Sequence, residues 1–205
     1  FAMRLGRGIV FHRLSDGVEF SFRPALPGDS GFPAFSPDGR YFLFAQYLND
    51  TNFDGRIDGS DNGVLFRVPF DGAAPSPFVG PPEQLSSARY NCLYPAPGPD
   101  RVVATCSDGG NLDVHVLPAE GSIPRDWDLA RIDEHIAASR DPWEQLLLMG
   151  RALVLEPAPS GRLARLRAMA DLHTRLKEYE SASFYARRVA DTAERGAPEG
   201  RWAGV

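Results

Sequence analysis

The stretch FPAFSPDGRYFLF, residues 32–44, decides how the first half of this chain is interpreted. Two apolar runs flank the segment SPDG at residues 36–39. Proline, aspartate and glycine in that order are typical of a tight turn. The stretch therefore predicts a β-hairpin, with one strand on each side of the turn.

The same order of strand and turn returns later in the chain. The segment LYPAPGPDRVVA, residues 93–104, again places proline, glycine and aspartate between two apolar runs. Each hairpin is followed by a similar strand, VLFRVPFDG at residues 64–72 and LDVHVLPAEG at residues 112–121. A further Asp-Gly turn at residues 15–17 predicts a hairpin near the start. A strand unit that repeats in this way is typical of a β-propeller blade.

Residues 32–40 resemble the P-x-F/W-S-P-D-G signature of TolB-like (WD-like) propeller repeats, and residues 64–72 resemble the end of the same repeat. The resemblance covers about residues 5–122 and implies roughly two and a half blades, whereas closed propellers have about four or more. We therefore expect the remaining blades to come from sequence upstream of this chain or from another chain. The predicted fold class is antiparallel, all-β propeller blades over residues 1–125, followed by a small α-helical segment over residues 126–195.

Apolar residues at helical spacing indicate helices in the second part of the chain. The first predicted helix lies within residues 126–136, and the other three cover residues 142–155, 161–176 and 179–193. Asp141 and Pro142 are a typical helix start, and Ser160 is the predicted cap of the third helix. Residues 196–205 are predicted to be a flexible tail.

The predicted helices resemble tetratricopeptide repeats. Ala170, Tyr179, Ala182 and Val189 fall near the small and aromatic positions of that repeat. Helical repeats of this kind are stacked binding surfaces and seldom catalysts. A plain pair of helical hairpins is the alternative interpretation.

The segment DTNFDGRIDGSD, residues 50–61, is called the acidic loop below, and it fits the EF-hand-type calcium loop at every diagnostic position. Ca²⁺ takes about six to eight oxygen ligands, and alternate residues of a tightly curled loop point inward. Gly55 permits the sharp turn, and Ile57 is expected to anchor the loop. The predicted ligands are Asp50, Asn52, Asp54, the Arg56 carbonyl, Asp58 and Asp61.

Two features separate the acidic loop from a true EF-hand. Its last position is Asp61 and not glutamate, as in dockerin-like modules, and strands at residues 42–47 and 63–68 flank it where an EF-hand has helices. Four carboxylates crowded together repel one another unless a cation neutralises them. We therefore expect calcium to have a structural role here, and the alternative is an acidic loop without metal.

Other patterns narrow the range of functions. The formal net charge of −5 argues against a nucleic-acid binder, and no apolar stretch is long enough for a transmembrane helix. The segment GDSG at residues 28–31 resembles a serine-protease motif, but Phe32 follows it where that motif has glycine. The sequence has no G-x-S-x-G elbow and no H-E-x-x-H motif, and its histidines are scattered.

Cys92 and Cys106 lie on the two arms of the hairpin that turns at residues 97–100. A simple antiparallel register puts them nearly opposite each other, so that they either form a disulfide or remain two buried thiols.

The sequence as a whole predicts a non-enzymatic, calcium-stabilised scaffold that binds other protein subunits. Calcium, the possible disulfide and the family resemblance favour a bacterial periplasmic, cell-surface or secreted setting. One alternative is the propeller portion of a larger, prolyl-oligopeptidase-like hydrolase whose catalytic domain is not in this chain. Another is a ligand or peptidoglycan sensor that uses the propeller mouth.

Overall fold

The computed structural model of this chain describes residues 2–5, 8–107, 110–119, 121 and 123–196. The chain divides into two compact units, Phe1–Trp127 (the β unit) and Asp128–Val205 (the helical unit). The described residues form ten strands followed by four helices. The predicted order, antiparallel strands first and helices second, is confirmed. In the part of the chain that the structure describes, the sheets form neither a closed barrel nor a closed propeller ring.

The β unit contains three antiparallel sheets. The first sheet has the order β1-β2-β3 and consists of β1 (Ala2–Leu5), β2 (Gly8–His12) and β3 (Glu19–Phe22). The second sheet has the order β4-β5-β6-β7 and consists of β4 (Ser30–Phe35), β5 (Tyr41–Tyr47), β6 (Gly63–Pro69) and β7 (Glu83–Gln84). The third sheet has the order β10-β9-β8 and consists of β8 (Asn91–Pro97), β9 (Arg101–Ser107) and β10 (Leu112–Pro118).

The hairpin between β2 and β3 lies at the predicted Asp-Gly turn. Gly17 has a positive φ of 74°, and the backbone N–H of Arg13 donates to the Val18 carbonyl oxygen. Alternating apolar and polar residues over 18–22 predict a strand there, but Val18 is 41% exposed and β3 begins one residue later, at Glu19.

The second and third sheets share one unusual irregularity. In the β4–β5 pair the register shifts between Gly31 and Ala34, and Phe32 there has a φ of 52°. In the β8–β9 pair the register shifts at the matching place, and Tyr94 there has a φ of 54°. A proline follows each aromatic residue, and because proline has no N–H it interrupts the ladder of backbone hydrogen bonds and favours a bulge.

The middle sheet is buried on both faces. Phe42 and Phe44 on one face of β5 contact Phe22 of the first sheet, with ring centroids 5.4 and 4.9 Å apart. Alternate residues of a strand point to opposite faces. On the other face of the middle sheet a second apolar cluster joins it to the third sheet. The fully buried members of this cluster are Leu43, Ala45, Leu65, Leu85, Cys92, Val102, Ala104 and Cys106.

The helical unit contains α1 (Leu129–Ala138), α2 (Pro142–Leu155), α3 (Pro159–Arg175) and α4 (Tyr179–Gly196). The predicted cap of α2 is confirmed, because the Asp141 side chain accepts from the Trp143 N–H at 2.9 Å. The predicted Ser160 cap is wrong. The third helix begins earlier, with Pro159 in its first turn and Ala158 as a cap without a side-chain hydrogen bond. This start suits proline, which needs no N–H partner in the first turn.

Two other predicted helix ends were too early, since α1 continues to Ala138 and α4 to Gly196. The predicted flexible tail at residues 196–205 lies outside the described residues apart from Gly196. Within the described part of the chain, no helix is both long enough and apolar enough to span a bilayer.

Candidate metal centre

The acidic loop connects two neighbouring strands of the middle sheet. It lies between β5, which ends at Tyr47, and β6, which begins at Gly63. The prediction that strands flank the loop is therefore confirmed. The chain between these strands contains turns and bends and no helix.

Side-chain oxygens curl the first half of the acidic loop. The Asp50 carboxylate accepts from the Asp54 N–H through Oδ1 at 3.1 Å and from the Gly55 N–H through Oδ2 at 2.8 Å. The Asn52 Oδ1 accepts from the Asp54 N–H at 3.0 Å, and the Asp54 Oδ1 accepts from the Arg56 N–H at 2.9 Å. The turn needs a positive φ at Gly55, which has 82°. Three of the predicted ligands are thus arranged around one run of backbone amides.

Asp61 joins the two ends of the acidic loop. Its side chain is buried, and its Oδ1 accepts from the Thr51 N–H at 2.7 Å and from the Asn52 N–H at 3.3 Å. Its Oδ2 accepts from the Asp58 N–H at 2.9 Å. The Asp58 carboxylate turns instead toward Ser60, accepting from its N–H at 2.9 Å and from its hydroxyl at 2.8 Å.

Ile57 anchors the acidic loop against the rest of the β unit. It is 6% exposed, whereas Phe53 in the same loop is 88% exposed. Ile57 packs at Gly28, where a Cβ atom would lie 2.4 Å from the Ile57 Cγ2 and 2.0 Å from the Tyr47 carbonyl oxygen. Gly28 also has a positive φ of 72°. Glycine suits this position because it has no Cβ and adopts a positive φ freely, and Gly28 therefore lets Ile57 and the acidic loop pack this closely.

The donor chemistry of the acidic loop suits a hard cation. Carboxylate and amide oxygens are the ligands that Ca²⁺ prefers, and a carboxylate has about four lone-pair sites, so Asp50 with two N–H bonds and Asp54 with one keep room for a cation. Asp61 differs, because three N–H groups and the Thr51 hydroxyl donate to its carboxylate. However, the described residues contain no group of three or more His, Cys, Asp or Glu side chains arranged to hold a metal ion. The structure brings together Asp50, Asn52 and Asp54 through shared amides, and it places Asp61 at the base of the loop.

The segment at residues 28–31 has a structural role in this fold. The Ser30 side chain is buried, and its hydroxyl donates to the Gln46 Oε1 at 2.5 Å. The Gln46 Nε2 in turn donates to the Pro27 carbonyl oxygen at 2.5 Å. The four histidines lie on four different elements, with His12 on β2, His115 on β10, His135 on α1 and His173 on α3.

The disulfide alternative is confirmed for the two cysteines. Cys92 and Cys106 are direct cross-strand partners with Cα atoms 4.1 Å apart, and a disulfide joins them. The equivalent pair in the middle sheet is Ser30 and Gln46, which the hydrogen bond described above joins. The two repeats therefore fix the same point of the hairpin by different chemistry.

Sequence reasoning missed a cavity between the two repeats. Its volume is about 560 Å³, and it lies between the turn at residues 36–39 and the matching turn at residues 97–100. The guanidinium of the buried Arg67 lies over the Tyr41 ring at 4.6 Å and pairs with Glu83 at 2.6 Å. The Arg125 Nη2 donates to the Tyr41 hydroxyl at 3.0 Å. These residues are far apart in sequence, and the two matching turns are the only local signal that could have located the cavity.

Comparison with known proteins finds no family model that matches this chain and no curated protein sequence that is significantly similar to it.

Proposed function

We propose that this protein is a non-catalytic scaffold that holds other protein subunits in a periplasmic, cell-surface or secreted assembly of a bacterium. Its β unit is a section of a TolB-like β-propeller that calcium stabilises, and its helical unit is a tetratricopeptide-like binding surface. The main support for this proposal is the unit of strands and turn that repeats in the second and third sheets.

The repeat extends to backbone detail. Phe32 and Tyr94 occupy matching bulges, and their rings contact each other with centroids 4.3 Å apart. Successive sheets stack face to face through continuous apolar clusters. Repeats that bury their faces only against neighbouring repeats are typical of scaffolds and binding proteins, because each surface is rigid and extended. This regularity supports the propeller section and the scaffold role together.

Calcium binding is supported by the spacing, donor type and curl of the acidic loop. The residues that would hold the ion are Asp50, Asn52, Asp54, the Arg56 carbonyl, Asp58 and Asp61. A bound Ca²⁺ supplies positive charge that neutralises the carboxylates. The chain itself contributes the anchor at Ile57 and the closing contact at Asp61, so the ordered loop would stiffen the β5–β6 connection.

The proposed cellular setting is supported by the disulfide. Disulfides persist in oxidising compartments and are rare in the cytosol of most organisms. Calcium is also most useful as a structural ion where its concentration is high, because loops of extracellular modules bind it with dissociation constants of about 10⁻⁴ to 10⁻³ M.

The helical unit is proposed to supply the surface for partner proteins. The buried core of α2, α3 and α4 includes Leu146, Leu166, Met169 and Tyr185. Ala182, at one of the small positions of the predicted repeat, is buried, whereas Tyr179 is 66% exposed. Stacked helices of this kind leave one set of side chains free for binding.

Calorimetric titration with Ca²⁺ tests the calcium part of the proposal. We expect the chain to bind one Ca²⁺ and its free energy of unfolding to rise by about 2.7 kcal/mol at a calcium concentration about 100 times the dissociation constant. Asp50→Asn should abolish both effects. Asp71→Asn is the matched control, because Asp71 also accepts a backbone N–H in a turn (from Ala73, at 3.0 Å) but lies outside the acidic loop. Equal calcium responses of the two variants would refute this site.

A further inference from the structure

The third sheet has one apolar face that no described residue of the β unit covers. Leu112, Val114 and Val116 are 64%, 74% and 59% exposed, and we call these three side chains the open face. They alternate along β10 with residues whose side chains point to the middle sheet, such as Leu117, which packs against the buried cluster. Three exposed aliphatic side chains in one row are unusual on a solvated strand, where polar residues normally occupy the outward positions.

The repeat shows what covers this face in the preceding sheet. Thr105 matches Ala45 of the middle sheet, because Leu93 pairs with Thr105 as Gly31 pairs with Ala45. Thr105 also pairs with Val114 as Ala45 pairs with Leu65, so Val114 occupies the position of Leu65. Leu65 is fully buried in the cluster that the third sheet completes with Val102. The open face is therefore the same surface, one repeat later, as a surface that is already covered by a sheet.

We infer that the open face is the docking surface for a further antiparallel sheet of the same repeat, which presents small apolar side chains as β8 and β9 do. A second copy of this chain held by this face alone does not fit, because three side chains are far fewer than the roughly 20–30 residues that each partner of a stable complex contributes. The inference rests on the stacked-sheet part of the proposed function and not on its calcium part, so each can fail without the other.

The close approach between sheets restricts the residues of the docking strand. A Cβ atom at Gly63 of β6 would lie 2.4 Å from the Leu93 Cδ2 of the third sheet. Leu112 occupies the position of Gly63 in β10, because Leu112 pairs with Ser107 as Gly63 pairs with Tyr47. The docking sheet therefore carries a small residue where the third sheet has Leu93. Gly31 of β4 is such a residue at the matching place.

A chain with one duplicated repeat tests this inference. A second copy of residues 70–118 is inserted directly after Pro118, and Leu93 is changed to glycine in that copy. We expect the inserted sheet to cover the original open face. In the duplicated chain, Val114→Asp in the original β10 should then lower the melting temperature by at least about 6 °C, because it buries a carboxylate.

In the parent chain the same change should lower the melting temperature by no more than about 3 °C, since only strand propensity is lost. Val114→Thr is the matched control, because it keeps the β-branched shape without a charge, and it should have a small effect in both chains. Equal effects of Val114→Asp in the two chains, or an inserted copy that does not fold, would overturn the inference. A large effect in the parent chain, or a parent dimer in sedimentation that Val114→Asp dissociates, would also overturn it, because the open face would already be covered.

Discussion

Acidification tests how tightly the helical unit is packed around His173. The His173 side chain is 4% exposed, and its ring stacks on the Tyr185 ring with centroids 5.3 Å apart. Its Nδ1 has no hydrogen-bond partner among the described residues. Burial lowers the pKa of His173 from 6.5 to about 4, because the charged imidazolium would lose its hydration in this environment.

The direction of the effect follows from proton binding. The unfolded chain binds a proton at His173 as the pH falls below about 6.5, whereas the folded chain binds it only near pH 4. The free energy of unfolding is therefore unaffected by this residue above pH 6.5, and it falls as the pH decreases from 6.5 to 4. At about 1.4 kcal/mol for each pKa unit, the loss amounts to about 3 kcal/mol.

Urea unfolding followed by the circular dichroism of the helices measures this loss between about pH 7.5 and about pH 4. His173→Phe keeps an aromatic ring against Tyr185 but cannot titrate, so this variant should lose about 3 kcal/mol less than the parent chain on acidification. His135→Gln is the control, because His135 is exposed on α1, and it should follow the parent chain. If the parent chain and His173→Phe lose the same free energy, the burial of a neutral His173 is refuted.

Two further predictions concern the β unit. Reduction of the Cys92–Cys106 disulfide, with a sequence separation of 14, should lower the free energy of unfolding by about 3 kcal/mol through the freed loop. Unchanged urea midpoints after reduction would contradict this. Gly28→Ala should cost at least about 2 kcal/mol more than Gly39→Ala. The two glycines have similar φ values of 72° and 68°, but only at Gly28 would a Cβ clash, lying 2.0 Å from the Tyr47 carbonyl oxygen. Equal losses for the two variants in thermal unfolding would show that this close contact does not hold the acidic loop.

The parts of the fold that depend on local chemistry could be predicted from the sequence. The turns at residues 15–17 and 36–39 could be located because proline, aspartate and glycine favour tight turns whatever the tertiary context. The two residues of β7, Glu83 and Gln84, carry no such signal, because their strand exists only through pairing with β6. The start of α3 differs from the predicted cap at Ser160 because Pro159, which suits the first turn of a helix, already belongs to it.

Each bulge has a local signal in the sequence. Pro33 and Pro95 cannot donate to a ladder of hydrogen bonds, which favours a bulge at each position. The positive φ values of Phe32 and Tyr94 depend on cross-strand register, and a sequence does not give register at this detail.

The acidic loop could be predicted in part, because some of its geometry is local and some depends on distant residues. The spacing of Asp50, Asn52 and Asp54 follows from the sequence, and their shared amides follow from the local turn. The contact between Ile57 and Gly28 joins distant parts of the chain, so only the folded structure shows it. The cavity beside Tyr41 is likewise lined by residues that are far apart in sequence, so only the folded structure shows it.

The native mass of the protein isolated from its source, with calcium and with a calcium chelator, tests the scaffold claim most directly. A calcium-stabilised scaffold predicts a large complex with identifiable partner subunits, and the chelator should loosen or dissociate it. A monomer of unchanged size under both conditions would contradict the scaffold role and any part of calcium in holding an assembly together.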